Sequence, residues 1–310
     1  QGATLPYIGP GGVAIDFTGF VRADGYSIDT GRNLMVGRPA DETYHTGRIY
    51  PNVSATLHYP FVRTDVGSTQ ILEPVVMLVA APNGGNSDKI PNVDSLVFDF
   101  DDTNLFEANR FTGYDRVEPG SRVNYGVKWS WFNHLSGHSV SALFGQSYRF
   151  DDDELMTGLM GYAPHFSNYV GRFQFNTKYF SVLYRARLDQ KTLQTRKSEL
   201  GVSGGVAPLR GGIDYVLRKT YKIGNATYHE REEIKFWAAS QLSKNWRISG
   251  DYRYDLSDKG RPVSSGATLQ YDNECTAVIF DVSKSFTKDR DYKGSTSFMI
   301  KVVLKTLGGM

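Results

Sequence analysis

Leu96-Val-Phe-Asp99-Phe-Asp101-Asp102-Thr103 is the stretch whose residue types come nearest to chemistry. An apolar run ending in Asp-x-Asp-x-Thr could set Asp99 to attack phosphorus and Asp101 to act as acid and base, beside a bound Mg²⁺. That chemistry needs a buried parallel strand followed by helices, a downstream Lys and a later acidic pair. Nothing after residue 103 reads as alternating strand and helix, so the match reads as coincidence. His134 and His138 have the spacing of a metal pair, but they flank a predicted turn at Ser136-Gly137 rather than sharing a helix face. Asp151-Asp-Asp-Glu154 is acidic enough to attract Ca²⁺, yet lacks the ligand spacing of an EF-hand loop and reads as a solvated loop. Asn52-Val-Ser54 and Asn225-Ala-Thr227 fit a glycosylation pattern that is common by chance. The Gly201–Gly212 stretch holds no phosphate-binding signature. No Ser, Thr or Cys stands in a nucleophile setting. The residues indicate no catalytic site, cofactor or metal.

The elements that carry these residues are strands. Val123, Tyr125, Val127, Trp129 and Trp131 share one face, and Val140, Ala142, Phe144 and Tyr148 the next. Phe180, Val182, Tyr184, Ala186 and Leu188 alternate with Ser181, Arg185 and Arg187. Trp246, Ile248, Gly250, Tyr252 and Tyr254 alternate with Arg247, Ser249, Asp251, Arg253 and Asp255. Phe298, Ile300, Val302 and Leu304 alternate with Met299, Lys301, Val303 and Lys305 in a final strand expected over Ser295 to Thr306. Period-two alternation marks strands with two unlike faces. Earlier strands are expected over 13–28, Arg48 to Phe61 and Gln70 to Ala81, with loop from there to about Thr46 after the first. Residues 82–120 are rich in Asn, Asp, Gly and Pro and read as a long loop of the kind that carries function. The rhythm gives about fourteen strands, most of about ten to thirteen residues, joined by short turns and longer loops in alternation.

Strand length and face chemistry then choose the fold class. Soluble strands run about five or six residues, whereas ten or more, tilted, is what a bilayer requires. A face carrying Arg247, Asp251 and Arg253 cannot be a soluble sandwich core but can line a wet lumen, together with Arg185 and Arg187. Trp129, Trp131, Tyr148, Tyr169, Trp246 and Tyr254 lie near strand ends, which suits aromatic girdles at the membrane interfaces. The expectation is an all-β, transmembrane antiparallel β-barrel. Composition agrees: of 310 residues 13% are aromatic and 32 are Gly, while only 40% are hydrophobic, because half of each strand faces water. A net charge of +2 with no basic run excludes a nucleic-acid partner. No apolar stretch is long enough for a transmembrane helix. The chain starts at Gln1 without an initiator Met, so it reads as processed or as part of something longer. Its single cysteine, Cys275, sits at a turn between two strands and cannot form an internal disulfide.

Several stretches together resemble the LPS-assembly outer-membrane protein family (LptD). They are Ile71-Leu-Glu-Pro, Ile90-Pro-Asn92 with Asp94-Ser95, Gly145-Gln-Ser-Tyr148, Tyr271-Asp-x-Glu-Cys275 and Leu304-Lys-Thr-Leu-Gly308. The most specific is Asn109-Arg110-Phe111-Thr-Gly113-Tyr-Asp115-Arg116. The likeness runs from about residue 46 to the end. It implies an integral protein of the Gram-negative outer membrane that inserts lipopolysaccharide into the outer leaflet through a laterally gated barrel. Implied partners are lipopolysaccharide, outer-membrane lipid, a plug lipoprotein (LptE) in the lumen, and a periplasmic bridge reached through an N-terminal jellyroll domain. On this resemblance residues 1–310 are the C-terminal part of the barrel and the jellyroll is absent. Residues Phe298, Ile300, Lys301, Val302, Leu304 and Lys305 would form the gate strand, with Lys301 and Lys305 facing the lumen. Asn109 to Arg116 would belong to an extracellular loop folded over or into the mouth. Cys275 would bridge to a cysteine in the missing region, a free buried thiol being the alternative. A general or substrate-specific porin is the alternative function.

Overall fold

The computed structural model describes residues 2–29, 43–95, 99–151, 165–223, 226–257, 260–287 and 294–305. The strands come in chain order as β1 (Gly2–Ile8), β2 (Ala14–Asp29), β3 (Thr43–His58), β4 (Phe61–Asp65), β5 (Ser68–Ala80), β6 (Arg122–Asn133) and β7 (Ser139–Arg149). Next are β8 (Tyr169–Asn176), β9 (Phe180–Leu188), β10 (Thr195–Val206), β11 (Leu209–Arg218), β12 (Tyr221–Ile223) and β13 (Ala226–Tyr228). The last are β14 (Arg231–Gln241), β15 (Trp246–Asp255), β16 (Arg261–Asp272), β17 (Thr276–Ser285) and β18 (Thr296–Leu304). Sixteen of them form one sheet in which successive strands are neighbours and antiparallel; β12 and β13 make a separate two-stranded ribbon. The fold class is therefore the one the alternation predicts, with more strands than the rhythm suggested.

The differences have local causes. β1 is short and shows no strong alternation, so it escapes a periodicity reading. Residues 43–46, expected as loop, extend β3, because Thr43 to Thr46 pair with Tyr26 to Asp29 of the long β2. The strand expected over Arg48 to Phe61 is β3 and β4 in one line. Their register against β5 continues unbroken from His58↔Val75 to Phe61↔Leu72. Pro60, which has no N–H to give, marks the break between them.

Register fixes which residues share a face. Lys128 of β6 pairs with Leu143 of β7, which pairs with Arg172 of β8, then Arg185 of β9, Glu199 of β10 and Val216 of β11. From there the row runs on through Glu233 of β14 and Asp255 of β15. The same face carries Arg187, Arg247, Asp251 and Arg253, so the five residues expected to line a lumen share one side. The opposite face is apolar and exposed: Val76, Val127, Phe144, Phe173, Tyr184, Ile213, Phe236, Ile248 and Phe280 all point that way. Aromatic pairs stand at strand ends on this face, Trp246 with Tyr271 at one end (5.0 Å) and Phe144 with Tyr169 toward the other (5.4 Å). Short turns close one end, as at 134–138, 177–179, 242–245 and 273–275; longer connections lie at the other.

The sheet does not close on itself, as suits one part of a larger barrel. Along the path from β1 to β18 each inner strand is paired on both sides, β4 adding to the edge of β5 in line with β3, but β1 and β18 do not pair with each other. Every residue of both is exposed, and the sheet is open.

Candidate functional site

The polar face of β2 to β10 is not bare. The connection from β5 to β6, residues 81–121, lies on it and brings its own core: Phe100, Leu105 and Phe111 pack with Leu143 and Val170 of the sheet, with Phe106 at the edge. Gly126 and Gly145 make room for that contact. A Cβ on Gly145 would stand 2.5 Å from Leu105, and one on Gly126 would stand 3.3 Å from the Phe106 ring. Burying these side chains contributes about 1.5–3 kcal/mol each toward holding the segment on the sheet, provided its polar groups are satisfied.

They are satisfied by charge. Glu118 is fully buried and forms ion pairs with Arg110 (2.8 Å) of its own segment, Arg149 (3.2 Å) of β7 and Arg122 (3.3 Å) of β6. Burial pulls its carboxyl up, but the three guanidiniums outweigh that and hold it below its ordinary value. The excess positive charge is solvated by main-chain carbonyls. Arg110 donates to Leu105 O (3.0 Å) and Asn104 O (2.9 Å), Arg122 to Ala108 O (2.7 Å) and Glu107 O (2.9 Å). Arg110 also stacks on Phe100, 5.0 Å from the ring centre.

The Asn109–Arg116 run is knitted to this cluster and to the stretch before it. Asn109 Oδ1 accepts from the Glu118 N–H (3.0 Å), and Asp115 Oδ2 accepts from Val93 N (2.7 Å) and Asp94 N (3.1 Å). Asp94 returns the favour, accepting from Tyr114 N (2.8 Å) and Asp115 N (2.9 Å), so these amides hold its carboxyl down at about 2. Gly113 faces Asp94 so closely that a Cβ would sit 2.5 Å from its carbonyl oxygen. Arg116 donates to Asn86 O (3.4 Å). Across the sheet Arg48 of β3 reaches Tyr114 O (2.7 Å), Asp115 O (3.0 Å) and Gly85 O (3.1 Å). These spacings follow from one loop closing on itself.

Asp99, Asp101 and Asp102 form a second charged contact. Asp99 pairs with Arg187 of β9 and with Lys197 of β10 (2.8 Å), and Lys197 also meets Glu199 (2.9 Å). Burial raises the Asp99 carboxyl, but Arg187 and Lys197 outweigh it and hold it low. Asp102 is more loosely held, 3.5 Å from Arg185 and 3.8 Å from Arg172, and burial leaves its carboxyl raised. Asp101 accepts from Thr103 N (2.9 Å) in a tight turn. The Asp-x-Asp-x-Thr pattern is thus a loop whose acids answer the cations of the wall. Leu96 to Phe98 lie outside the described residues, as do Asp152 to Glu154, Asn225 and Thr306 to Gly308.

The other expected residues fall as follows. His134 and Ser136-Gly137 do form the β6–β7 turn, with His134 Nε2 2.9 Å from Thr69 Oγ1. Asn52 is buried in β3 rather than presented for modification. Arg247, Asp251 and Arg253 lie on the polar face beyond the reach of segment 81–121. Phe298, Ile300, Val302 and Leu304 line the apolar side of the free edge strand, and Lys301 the polar side opposite Ile279. Lys305 pairs with Asp272 and donates to Asn273 O (2.8 Å). Cys275 is a free thiol in the short β16–β17 turn, and it is exposed, which corrects the buried-thiol alternative: a turn of three residues offers nothing to cover it. Sequence reasoning missed Glu118, Arg122 and Arg149, because single charges inside a loop or at a strand end carry no periodic signal, and it singled out Asp94 without its role in holding Tyr114 and Asp115.

The family described as LptD, LPS transport system D, matches residues 2–246. The LPS-assembly protein LptD of Vibrio vulnificus (strain YJ016) is 23% identical over 236 residues, 73% of this chain and 30% of the relative. That of Acinetobacter baumannii (strain ATCC 19606) is 27% identical over 257 residues, 78% of this chain and 30% of the relative. The chain thus spans about 30% of the length of these curated relatives. Among solved structures, an engineered Rh. blastica porin aligns with 94% of this chain and 98% of its own at 11% identity, with a TM-score of 0.37.

Proposed function

The chain belongs to the LptD family, LPS transport system D, and on that premise we propose that it forms part of the wall of an outer-membrane translocon that places lipopolysaccharide in the outer leaflet. The observation that carries the reading is the unbroken register of an apolar, exposed face against a polar face over sixteen strands. An apolar band of this kind suits lipid, and a polar face suits a wet lumen. The protein acts as a conduit and not as a catalyst. In a closed barrel the free edges of β1 and β18 meet strands outside this chain, because unpaired N–H and C=O groups in lipid cost several kcal/mol each. β18, with Phe298, Ile300, Val302 and Leu304 toward lipid and Lys301 toward the lumen, is one side of the lateral gate.

The short-turn end is the periplasmic end, as in outer-membrane barrels generally. Cys275, exposed at that end, bridges to a cysteine of the periplasmic region through which the lipopolysaccharide bridge connects, a reading its exposure supports. Segment 81–121, entering from the long-loop end, is an extracellular loop folded into the lumen. The lumen bounded by the polar face also hosts the plug lipoprotein LptE.

Depletion of the full-length protein should lower lipopolysaccharide at the cell surface; unchanged surface lipopolysaccharide overturns the proposal. A steady, high conductance of the purified protein in planar bilayers would favour the porin alternative instead. Non-reducing electrophoresis of the full-length protein should show a mobility shift that Cys275→Ser abolishes.

A further inference from the structure

Two adjoining depressions open on the polar face near the short-turn end of β9 to β15, well away from segment 81–121. One has a volume of about 230 Å³ and the other about 460 Å³, and Arg210 and Trp237 line both. Their floor is backbone. Gly205 and Gly212 lie on the polar face, and Gly212 lets the Trp237 indole lie down against the sheet: a Cβ there would stand 2.7 Å from Nε1. Among the described residues no ring stacks on Trp237 and its indole N–H has no acceptor. Beside it are the Ser181 and Ser203 hydroxyls, 2.8 Å apart, and the Gln241 amide.

The charge here is one-sided. None of the residues lining either depression is acidic. Arg210 makes no ion pair or hydrogen bond among the described residues. Arg247 donates to the neutral Gln241 Oε1 (3.2 Å), and the acid that feels its charge, Asp272, is already paired with Lys305. Elsewhere on this face Arg185, Arg187 and Lys197 all stand against carboxylates.

We propose that the two depressions form one site for an anionic saccharide, a proposal that rests on the reading of this chain as a glycolipid conduit. The C–H face of a sugar ring lies on Trp237, whose negative π-face attracts the positive edges of C–H groups. Ser181, Ser203 and Gln241 meet its hydroxyls. Arg210 and Arg247 hold its phosphate or carboxylate, for which planar guanidinium groups are matched in geometry. A small apolar platform with convergent polar groups is the usual make-up of a small-ligand site.

The test uses the full-length protein in detergent, titrated calorimetrically with glucose 6-phosphate, glucuronate, glucose and inorganic phosphate. At least one charged sugar should bind tenfold or more tighter than both glucose and inorganic phosphate, and the comparison of the two charged sugars tells phosphate from carboxylate. Arg210→Ala should weaken that binding about tenfold and Arg210→Lys less. Trp237→Ala should remove the advantage of sugar phosphate over inorganic phosphate, and Trp237→Phe should keep most of it; each variant is checked for an unchanged unfolding midpoint. Inorganic phosphate binding as tightly as both charged sugars, or no charged sugar binding at all (as when the face serves only a protein partner), overturns the site. If charged sugars fail to bind while depletion still lowers surface lipopolysaccharide, the site falls alone. If they bind and depletion changes nothing, the conduit reading falls and the site stands.

Discussion

The polar face of β3 to β10 and the polar face of β11 to β18 are built from the same alternation and the same residue types, yet they end in opposite states. On the first, Arg122, Arg149, Arg185, Arg187 and Lys197 are met by Glu118, Asp99 and Asp102 from one loop, and Leu143 and Val170 are covered by Phe100, Leu105 and Phe111. On the second, Asp214, Lys235, Asp251 and Arg253 form no ion pair among the described residues and face open space. A charged sheet face becomes a core only when another element delivers counter-charges together with apolar surface. Where none does, the face stays available, and on this chain that is where Arg210 and Trp237 wait.

The contrast can be broken most severely at Glu118. Glu118→Gln leaves three buried guanidinium groups without their shared anion and should destabilise the full-length protein by about 3–5 kcal/mol, read as a lowered urea midpoint in detergent. Acid should act in the same direction but late. Because the Glu118 carboxyl is held below its ordinary value, its contribution is present above that value and is lost only as pH falls through the depressed one.

Next comes the apolar half of the contact. Leu105→Ala opens a cavity between segment 81–121 and Gly145 and should cost about 3 kcal/mol by the same measurement, with proteolysis within 81–121 appearing first.

Asp102 sharpens the comparison through its sign. Its carboxyl is raised by burial, so it favours the fold when protonated, and that contribution is lost as pH rises through its folded-state value. Asp102→Asn stays neutral throughout. The variant should therefore gain on the parent protein as pH rises from the acid range, in midpoints measured across pH; a constant difference would mean that the Arg185 and Arg172 attractions cancel the effect of burial, and a loss that they dominate.

On the uncovered face the same kind of change should be nearly silent. Arg253→Ala should shift stability by no more than about 0.5 kcal/mol, since Arg253 makes no ion pair or hydrogen bond among the described residues. A loss comparable to that of Leu105→Ala would show that this face is covered after all.

Much of this was legible without coordinates. The faces of β6, β7, β9, β15 and β18 read directly from residue alternation, because a strand's period of two leaves no choice once one side chain is assigned. Aromatic residues at strand ends and the long loop after β5 were legible for similar reasons. The role of that loop was not. Asn109 to Arg116 stood out as a motif, but nothing in its spacing says that Asp94 and Asp115 cap each other's backbone, or that Gly113 is required by the approach of Asp94. Cys275 was read correctly as lying in a turn, and its exposure followed only from the shortness of that turn.

The sequence by itself determined the class of fold, the two faces of each strand and the order of strands, since all three rest on local periodicity and on neighbours along the chain. Tertiary structure alone decided which charges are answered. Glu118 stands far along the chain from Arg149, and Asp99 farther from Arg187, and Coulomb attraction between buried groups depends on separation in space, not in sequence. The same holds for Arg210 and Trp237: only the packing of β9 to β15 side by side shows that no acid reaches them.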